Sequence, residues 1–346
     1  MSTASGTLSA EQRALLEAAR ADDESAYRRL VEPHRRELLA HCYRMLGSLH
    51  DAEDALQEAL LRAWRGLPRF EGRSSLKSWL YTIATNVCLK AIERRPRLVL
   101  PIDYGPPADP HEGPSEPVVE SVWIDPYPDA ELGLDATLAG PDARYEQRES
   151  VELAFLAALQ HLPARQRAVL ILRDVLGFSA REVAQTLDAT PASVDSALQR
   201  AHKTVDERLP EQSQQATLRA LGDDGLRALV DGFVTAWERA DVDAVVALLA
   251  DDAAMTMPPR PTWYQGRDAI AAFLRGWPLA AGTASRLVPT HANGQPAVAH
   301  YSWDGGVFVA HAIDVLTLQG GRIAEITAFL APDAFARFGL AAELRH

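Results

Sequence analysis

Apolar positions recur at three- and four-residue steps through residues 8–46: Leu15, Tyr27, Leu30, Val31, Leu38, Cys42 and Met45. That spacing lays an apolar stripe along helical chain. Gly47 stops the run as a glycine just past a helix end does. The stretch DAEDALQEALLRAW, 51–64, follows with Ala52, Ala55, Leu56, Ala59, Leu60 and Ala63 on one stripe. Asp54, Gln57, Glu58, Arg62 and Arg65 occupy the other faces, which predicts a helix packed on one side and solvated on the rest. GLPRFEGRSSL then reads as a loop, and KSWLYTIATNVCLKAIERR as a third helix ending at Arg95–Pro96.

The pattern breaks at residue 97. Residues 97–148 are dense in Pro and Gly, hold no period and form a linker. Inside it SVWIDPYPD, 121–129, concentrates Trp123, Ile124 and Tyr127. Solvated linkers rarely carry such anchors, so this piece is expected to dock on something. Helical spacing resumes over 149–209, a polar hinge covers 210–217, and 218–250 is again helical. From 284 onward short β-type runs alternate with the turn signals ANGQ, WDGG and QGG. The last part, 218–346, is therefore α+β, and the parts before it, 1–96 and 149–209, are all-α.

Within 149–209 the signals for two short helices about a tight turn are closely spaced. Pro163 suits the first position of a helix, ARQRAVLILRDVL is apolar enough for a core helix, and Gly177 ends it. Ser179 stands three residues before Glu182, a capping-box spacing. Val183, Ala184 and Leu187 face inward, and Asp188–Ala189 makes the turn. Thr190 caps the next helix with Pro191 at its first position. Val194, Ala197, Leu198, Ala201 and Val205 bury one side; Ser193, Asp195, Ser196, Gln199, Arg200 and Lys203 are left outward. A recognition helix presents such outward residues to base edges first and phosphates later. Ser193, Ser196 and Gln199 suit bases, and Arg200 and Lys203 suit phosphates.

Charge complicates that picture. The chain has 346 residues and a formal net charge of −12. The excess of acid lies in residues 97–145, with 2 basic against 10 acidic side chains, and in 210–346, with 10 against 15. The two all-α parts are near neutral, at 15 against 13 for 1–96 and 8 against 9 for 146–209. Phosphate neutralisation supplies most non-specific DNA affinity, so such a reader needs a larger partner to hold it on DNA. Two cysteines, Cys42 and Cys88, are far apart in sequence and fit buried free thiols in a reducing cytoplasm. No apolar run approaches a membrane span, and MSTASGTLSAEQR does not read as a signal peptide.

LPARQRAVLILRDVLGFSAREVAQTL with SVDSALQRAHK resembles region four of the sigma-70 family of bacterial sigma factors. DAEDALQEALLRAW with EGRSSLKSWLYTIATN resembles region two, in the compact extracytoplasmic-function branch. The two motif sets occur in the family's order. The resemblance implies a cytoplasmic subunit of RNA polymerase that reads promoters while core polymerase supplies most of the grip. It assigns Asp54, Gln57 and Glu58 to polymerase binding. It assigns Arg73, Ser74, Ser75 and Leu76 to the loop that takes a flipped base of the minus-ten element, with Trp79, Tyr81, Asn86, Lys90, Arg94 and Arg95 along the opened strand. Stacking on aromatic faces and cations near the backbone is what single strands require; for Trp79 and Tyr81 core packing is the competing role. Ser193, Asp195, Ser196, Gln199, Arg200 and Lys203 fall to the minus-thirty-five element. Asp195 departs from the family, which often has Lys or Arg there. An aspartate repels phosphate but accepts from cytosine N4.

LRALVDGFVTAWERADVDAVVALLADDA with YQGRDAIAAFL resembles SnoaL-like domains, relatives of nuclear transport factor two. The implied fold over 218–346 is an α+β cone whose curved sheet encloses a pocket. Pocket candidates are Trp237, Met255, Met257, Trp263, Tyr264, Phe273, Trp277, His291, His300, Trp303, His311 and Phe329, and a small-molecule ligand there is a possibility the fold leaves open. Asp314, in HAIDVLTL, faces inward or outward according to strand parity. His291, His300 and His311 lack a partner carboxylate or cysteine at ligand spacing, so neither a metal nor a cofactor is expected. Some sigma factors of this branch carry a fused SnoaL-like domain as an internal regulator, with a Trp–Pro motif in the linker to which VWIDPYPD is similar. The sequence thus reads as a three-domain alternative sigma factor, not an enzyme, whose Trp123, Ile124 and Tyr127 dock the linker. A ligand-sensing helix-turn-helix factor leaves both region-two motifs unexplained. An enzyme tethered to promoters would need a buried, shifted carboxylate in the cone.

Overall fold

The computed structural model describes residues 9–345 apart from 73, 95–96, 119–121, 132–148, 211 and 282. It divides into two compact units, Met1–Arg97 with Ala158–Arg208, and Leu98–Ala157 with Leu209–His346. Reader, linker, reader and cone follow one another along the chain; by packing, the two readers fall in one unit and the linker with the cone in the other.

The first unit begins with α1 (Ala10–Arg20), α2 (Glu24–Val31), α3 (Arg35–Leu46), α4 (Leu49–Gly66) and α5 (Leu76–Ile92). The continuous periodicity of 8–46 is cut twice, at Asp22 with φ 71° and at a 3-10 turn carrying Pro33. Caps explain the boundaries. Ser9, Asp23, Ser48 and Ser75 each accept a backbone N–H of the following first turn, and Gly47 closes α3 in the left-handed region. Leu38, Cys42, Met45, Ala52, Ala63, Leu80 and Ala84 meet in a core where α3, α4 and α5 touch.

The second half of this unit holds α8 (Ala164–Leu170), which runs into a π turn at Ile171–Val175, then α9 (Ala180–Thr186) and α10 (Pro191–Asp206). An intervening helix, α7 (Leu153–Gln160), precedes them, and α6 (Pro101–Tyr104) is a single turn of the linker. Pro163 stands one residue earlier than expected, as the N-cap of α8. Both capping boxes are formed, by Ser179 with Glu182 and by Thr190 with Ser193. Arg167 is buried with its guanidinium donating to Met45 O at 2.6 Å and to Gln160 Oε1 at 2.6 Å. It therefore ties α8 to the end of α3, and its burial pulls its pKa down to about 10. Thr82 and Thr186 hydroxyls lie 3.0 Å apart, and the Tyr81 ring meets Phe178 edge-on at 5.5 Å.

Cys42 and Cys88 are both fully buried and free. A hydrogen bond to Cys42, together with burial, holds the Cys88 thiol well above its ordinary pKa. Thiolate is the reactive form, so native protein is expected to show no reaction with a disulfide reagent such as DTNB while the unfolded chain shows two thiols. Rapid labelling of native protein at either cysteine would contradict this.

The second unit is built on α11 (Gln214–Glu238), kinked at Gly222, with α12 (Val242–Ala247) and α13 (Arg267–Gly276). Its described strands are β1 (Leu249–Thr256), β2 (Trp263–Gln265), β3 (Ser285–Ala292), β4 (Gln295–Trp303), β5 (Phe308–Gln319), β6 (Arg322–Phe329) and β7 (Glu343–Leu344). They form one sheet in the order β2-β1-β6-β5-β4-β3, with β7 on β5. The pair β1·β6 is parallel and the others are antiparallel. Leu229, Val230, Phe233 and Trp237 of α11 join Met255, Phe273, Leu287, Val298, Leu316 and Ile326 in the core between helices and sheet. Among the described residues no helix is long and apolar enough to cross a membrane.

Candidate nucleic-acid interface, polymerase face and cone pocket

On α4 the helical period leaves Asp54 and Gln57 exposed, and Glu58 half-buried beside Arg62 at 2.6 Å. Asp54 lies 3.7 Å from His50. Gln57 borders a long groove of about 990 Å³ between α2, α3 and α4. Leu39, Leu56, Leu60 and Leu61 floor it, and Glu24, Arg28, Glu32 and Arg35 are on its rim. Leu61 is 45% exposed and lines this groove. Neither Leu61 nor Arg28 belongs to the polar set that the region-two resemblance assigns to polymerase. Leu61 sits one turn after Gln57, off the buried stripe, and that offset was the available signal.

The expected minus-ten residues separate into groups. Arg73 and Arg95 lie outside the described residues. Ser74, Lys90 and Arg94 are exposed. Ser75 is the N-cap of α5, its side chain accepting from Ser78 N at 3.0 Å. Leu76 departs from expectation, and Tyr81 takes the core role that competed with base contact. Leu76 opens α5 as a core residue, and Tyr81 is 1% exposed, wedged between His41 and Phe178. Their apolar bulk wins burial because α5 packs against both α3 and α8. Trp79 is half-buried on Phe70, with ring centroids 4.9 Å apart. Asn86 donates to Thr82 O at 2.9 Å, within its own helix.

All six outward residues of α10 are exposed: Ser193, Asp195, Ser196, Gln199, Arg200 and Lys203. Ser193 is already committed to the cap, donating to Thr190 O at 2.8 Å and accepting from Thr190 N at 3.2 Å. Ser196, Gln199, Arg200 and Lys203 make a polar face along about two turns, with Asp195 at its edge.

In the second unit the linker is strapped to the cone. Ala108 N donates to Trp263 O at 2.8 Å, and the Trp263 indole donates to Gly105 O at 2.8 Å. Ser115 N donates to Thr262 Oγ1 at 2.8 Å, Val118 N to Pro259 O at 2.9 Å, and Arg260 to Ser115 O. Trp123 packs locally, with Val99, Val122 and Val118, while Ile124 and Tyr127 are fully buried. The hook is the β3–β4 turn, where Asn293 adopts φ 57°. Its Oδ1 accepts Tyr127 N at 2.9 Å, its own N donates to Tyr127 O at 2.9 Å, and its Nδ2 donates to Val151 O at 3.0 Å. Gly294 N donates to Asp129 Oδ1 at 2.7 Å. ANGQ is a turn by its sequence; it is also a buried junction, which turn chemistry alone does not reveal.

The cone encloses a cavity of about 230 Å³. Of the pocket candidates, Trp237, Met255, Met257, Phe273, Trp277, His300 and His311 line it. Trp263, Tyr264, Trp303 and Phe329 serve elsewhere: Trp263 holds the linker, Tyr264 stacks behind Phe273 at 4.4 Å, Trp303 meets Phe308, and Phe329 is in the core. His291 is exposed near the end of β3. Asp314 faces inward. On β5 it pairs with Val298 and Ala328, and Ala312 pairs with His300, so His300, Ala312, Asp314 and Ala328 share the cavity face. A bulge between the His300 and Tyr301 pairings brings His311 to the cavity mouth, where strict alternation would turn it away. Burial pushes the Asp314 carboxyl up to about 7. Burial, with His311 nearby, pushes His300 down to about 3. The 3.7 Å contact between them is therefore a meeting of neutral groups near pH 6 rather than an ion pair. Among the described residues no three His, Cys, Asp or Glu side chains gather as metal ligands.

Sequence comparison matches residues 30–98 to Sigma-70 region 2, 152–205 to Sigma-70 region 4, and 230–326 to the SnoaL-like domain. Two promoter-reading regions in this order, followed by such a cone, define a transcription-initiation factor of the sigma class. The chain is 43% identical over 311 residues to the ECF RNA polymerase sigma factor SigG of Mycobacterium tuberculosis (strain ATCC 25618 / H37Rv), covering 90% of this chain and 82% of that one. It belongs to the ECF RNA polymerase sigma factors, and is an alternative sigma factor. SigJ of the same strain is 26% identical over 320 residues, 88% of this chain and 91% of that one. The crystal structure of M. tuberculosis SigJ shares the fold, with a TM-score of 0.55 at 20% identity over 89% of this chain and 97% of that one.

Proposed function

We propose that the polar ridge of α4 and the groove beside it receive core polymerase, that α10 reads the minus-thirty-five element, and that the linker and cone act together to modulate initiation. The observation that supports this most is the linker's attachment: Tyr127 and Asn293 exchange hydrogen bonds in the core of the second unit. A linker so held sets how far apart two reader domains can be, and release frees them. In the first unit, Tyr81 and Thr82 of the strand-side helix pack on Phe178 and Thr186. Use of that face by an opened DNA strand therefore requires the readers to part.

For polymerase docking, Gln57→Ala with Glu58→Ala, and separately Leu61→Glu, are expected to weaken association with core polymerase by about 5–30-fold, the range of an interface anchor. Melting temperature should hardly move, since the Glu58–Arg62 pair is half-solvated and worth under about 1 kcal/mol. In vitro transcription with added core polymerase, with start sites mapped, is the functional readout. Lost stability with unchanged polymerase affinity would make these residues structural.

A second reading is carried by Asp314: a buried, raised carboxyl in a cone is what a tethered enzyme would need. The two part on one measurement. A regulatory linker–cone unit changes promoter-specific transcription when Trp123 or Tyr127 is replaced by alanine, whereas a tethered enzyme leaves it unchanged.

A further inference from the structure

The cone's cavity has walls of two chemistries. Met255, Met257, Phe273 and Leu330 give it an apolar interior. Into this projects Asp314, 1% exposed, with neither carboxyl oxygen in a hydrogen bond; the Trp237 indole N–H is likewise buried without one. Burying such groups unpaired costs free energy of about 1–3 kcal/mol each, and that cost is recovered when a ligand group pairs with them. The imidazole of His300 is already held by Ser285 at 2.9 Å, so it orients the polar end and is not itself seeking a partner. At the mouth stand His311, Arg260, Trp277 and Pro114. Pro114 belongs to the linker. Beside it Gly113 has φ 77°, and a Cβ there would lie 2.3 Å from the Trp277 ring. Arg260 reaches across to the carbonyl of Ser115. The mouth is therefore made jointly by cone and linker.

We infer that this cavity is a binding site for a small, uncharged ring compound bearing a hydroxyl or carbonyl, and that its occupant holds the linker down through Pro114. The volume, about 230 Å³, is below the roughly 300–1,000 Å³ of pockets for drug-sized molecules, which limits the occupant to one or two rings. Methionine and aromatic walls accommodate a flat apolar body. The polar end makes one hydrogen bond with the Asp314 carboxyl. Arg260 at the mouth disfavours an ammonium ion. A ligand that touches Pro114 binds the docked linker better than the released one, and so shifts that equilibrium. The coupling to the linker rests on the regulatory reading above, but binding itself does not.

The test uses the full chain with phenol, toluene, cyclohexanone and benzylamine as probes, with affinity followed by tryptophan fluorescence at about pH 6. Phenol or cyclohexanone is expected to bind better than toluene by about tenfold, the worth of a hydrogen bond to a buried partner, and benzylamine worst. Asp314→Val should keep toluene binding and abolish the preference for phenol. That ratio is insensitive to a general loss of fold, and retained toluene binding shows the cavity intact. With bound probe at ten times its Kd, proteolysis of the linker near Gly113 should slow by about tenfold, because cleavage must await release. Gly113→Ala should raise the basal cleavage rate, and probe protection should shrink with it. Failure of every neutral probe to bind, preference for benzylamine, or a phenol preference that survives Asp314→Val overturns the site. Binding without protection of the linker overturns the coupling alone. Neither result depends on transcription, so the regulatory reading stands or falls separately through the Trp123 and Tyr127 variants.

Discussion

Replacing Asn293 with alanine is expected to release the linker and to lower the stability of the linker–cone unit by about 3–7 kcal/mol. The side chain is fully buried and makes two hydrogen bonds to backbone groups from distant segments, Tyr127 N and Val151 O. Alanine removes both bonds from buried backbone groups, at about 1–3 kcal/mol each. It must also hold φ 57°, a left-handed conformation that asparagine tolerates and alanine resists by about 1 kcal/mol. Glycine relieves the second cost but not the first, so Asn293→Gly should recover a minority of the loss. The local consequence is sharper than the global one. Trp123 is 7% exposed in the docked linker, and chymotrypsin should cut after it many times faster in the variant. Denaturant unfolding gives the first number and mass spectrometry of the digest the second. An unchanged cleavage rate after Trp123 would show that the Asn293 turn does not hold this part of the linker.

The second large effect is a pH dependence centred on Asp314 and Glu152. Burial raises each carboxyl to about 7, against ordinary values of 3.8 and 4.5. The two sites differ in kind. Glu152 accepts Gln214 N at 3.2 Å and Gln215 N at 3.0 Å at the start of α11, which partly offsets its burial. Asp314 has no such bonds. The sign follows from proton counting. Between the unfolded and folded pKa values the folded chain holds protons that the unfolded chain has released. Stability therefore falls as pH rises from about 4 to about 7, and levels off above. Asp314 contributes on the order of 4 kcal/mol to that fall, at about 1.36 kcal/mol per unit. Asp314→Asn removes its share while keeping its shape. The variant's melting temperature relative to the parent should be several degrees higher at about pH 8 than at about pH 5. An offset that is the same at both values would place Asp314 in a wetter site than this cavity.

Helix positions in the first unit were readable because local rules and packing agree there. The stripe Ala52–Ala63 is buried along α4, and Ser179, Glu182, Thr190 and Pro191 cap the helices they were expected to cap. Capping and 3.6-residue periodicity act within a few residues, so a sequence carries them openly. The outward face of α10 is the complement of its buried face and was legible for the same reason. Leu76 was not, and for Tyr81 the sequence left core and strand roles both open. Their exposure depends on what α5 packs against, and Phe178 lies far along the chain.

The sequence by itself determined where helical chain lies in the first unit, the caps at Ser179 and Thr190, the α+β change after residue 218 and the two sets of sigma motifs. Each rests on the chemistry of neighbours in the chain. Tertiary structure decided which segments share a unit, because that depends on contacts between distant residues. Composition marked the acidic segment as a linker carrying apolar anchors, but that the Asn293 turn holds Tyr127 is a contact between distant residues. It also decided the polarity of β5. Alternation alone allowed Asp314 either face, and one bulged residue reverses the parity of all that follows it. Pairing with Ala328, together with that bulge, turned the carboxyl inward and placed His311 at the mouth. A cavity is closed by residues from α11, β1, β4, β5, β6 and the linker together, and no local pattern in any one of them announces it.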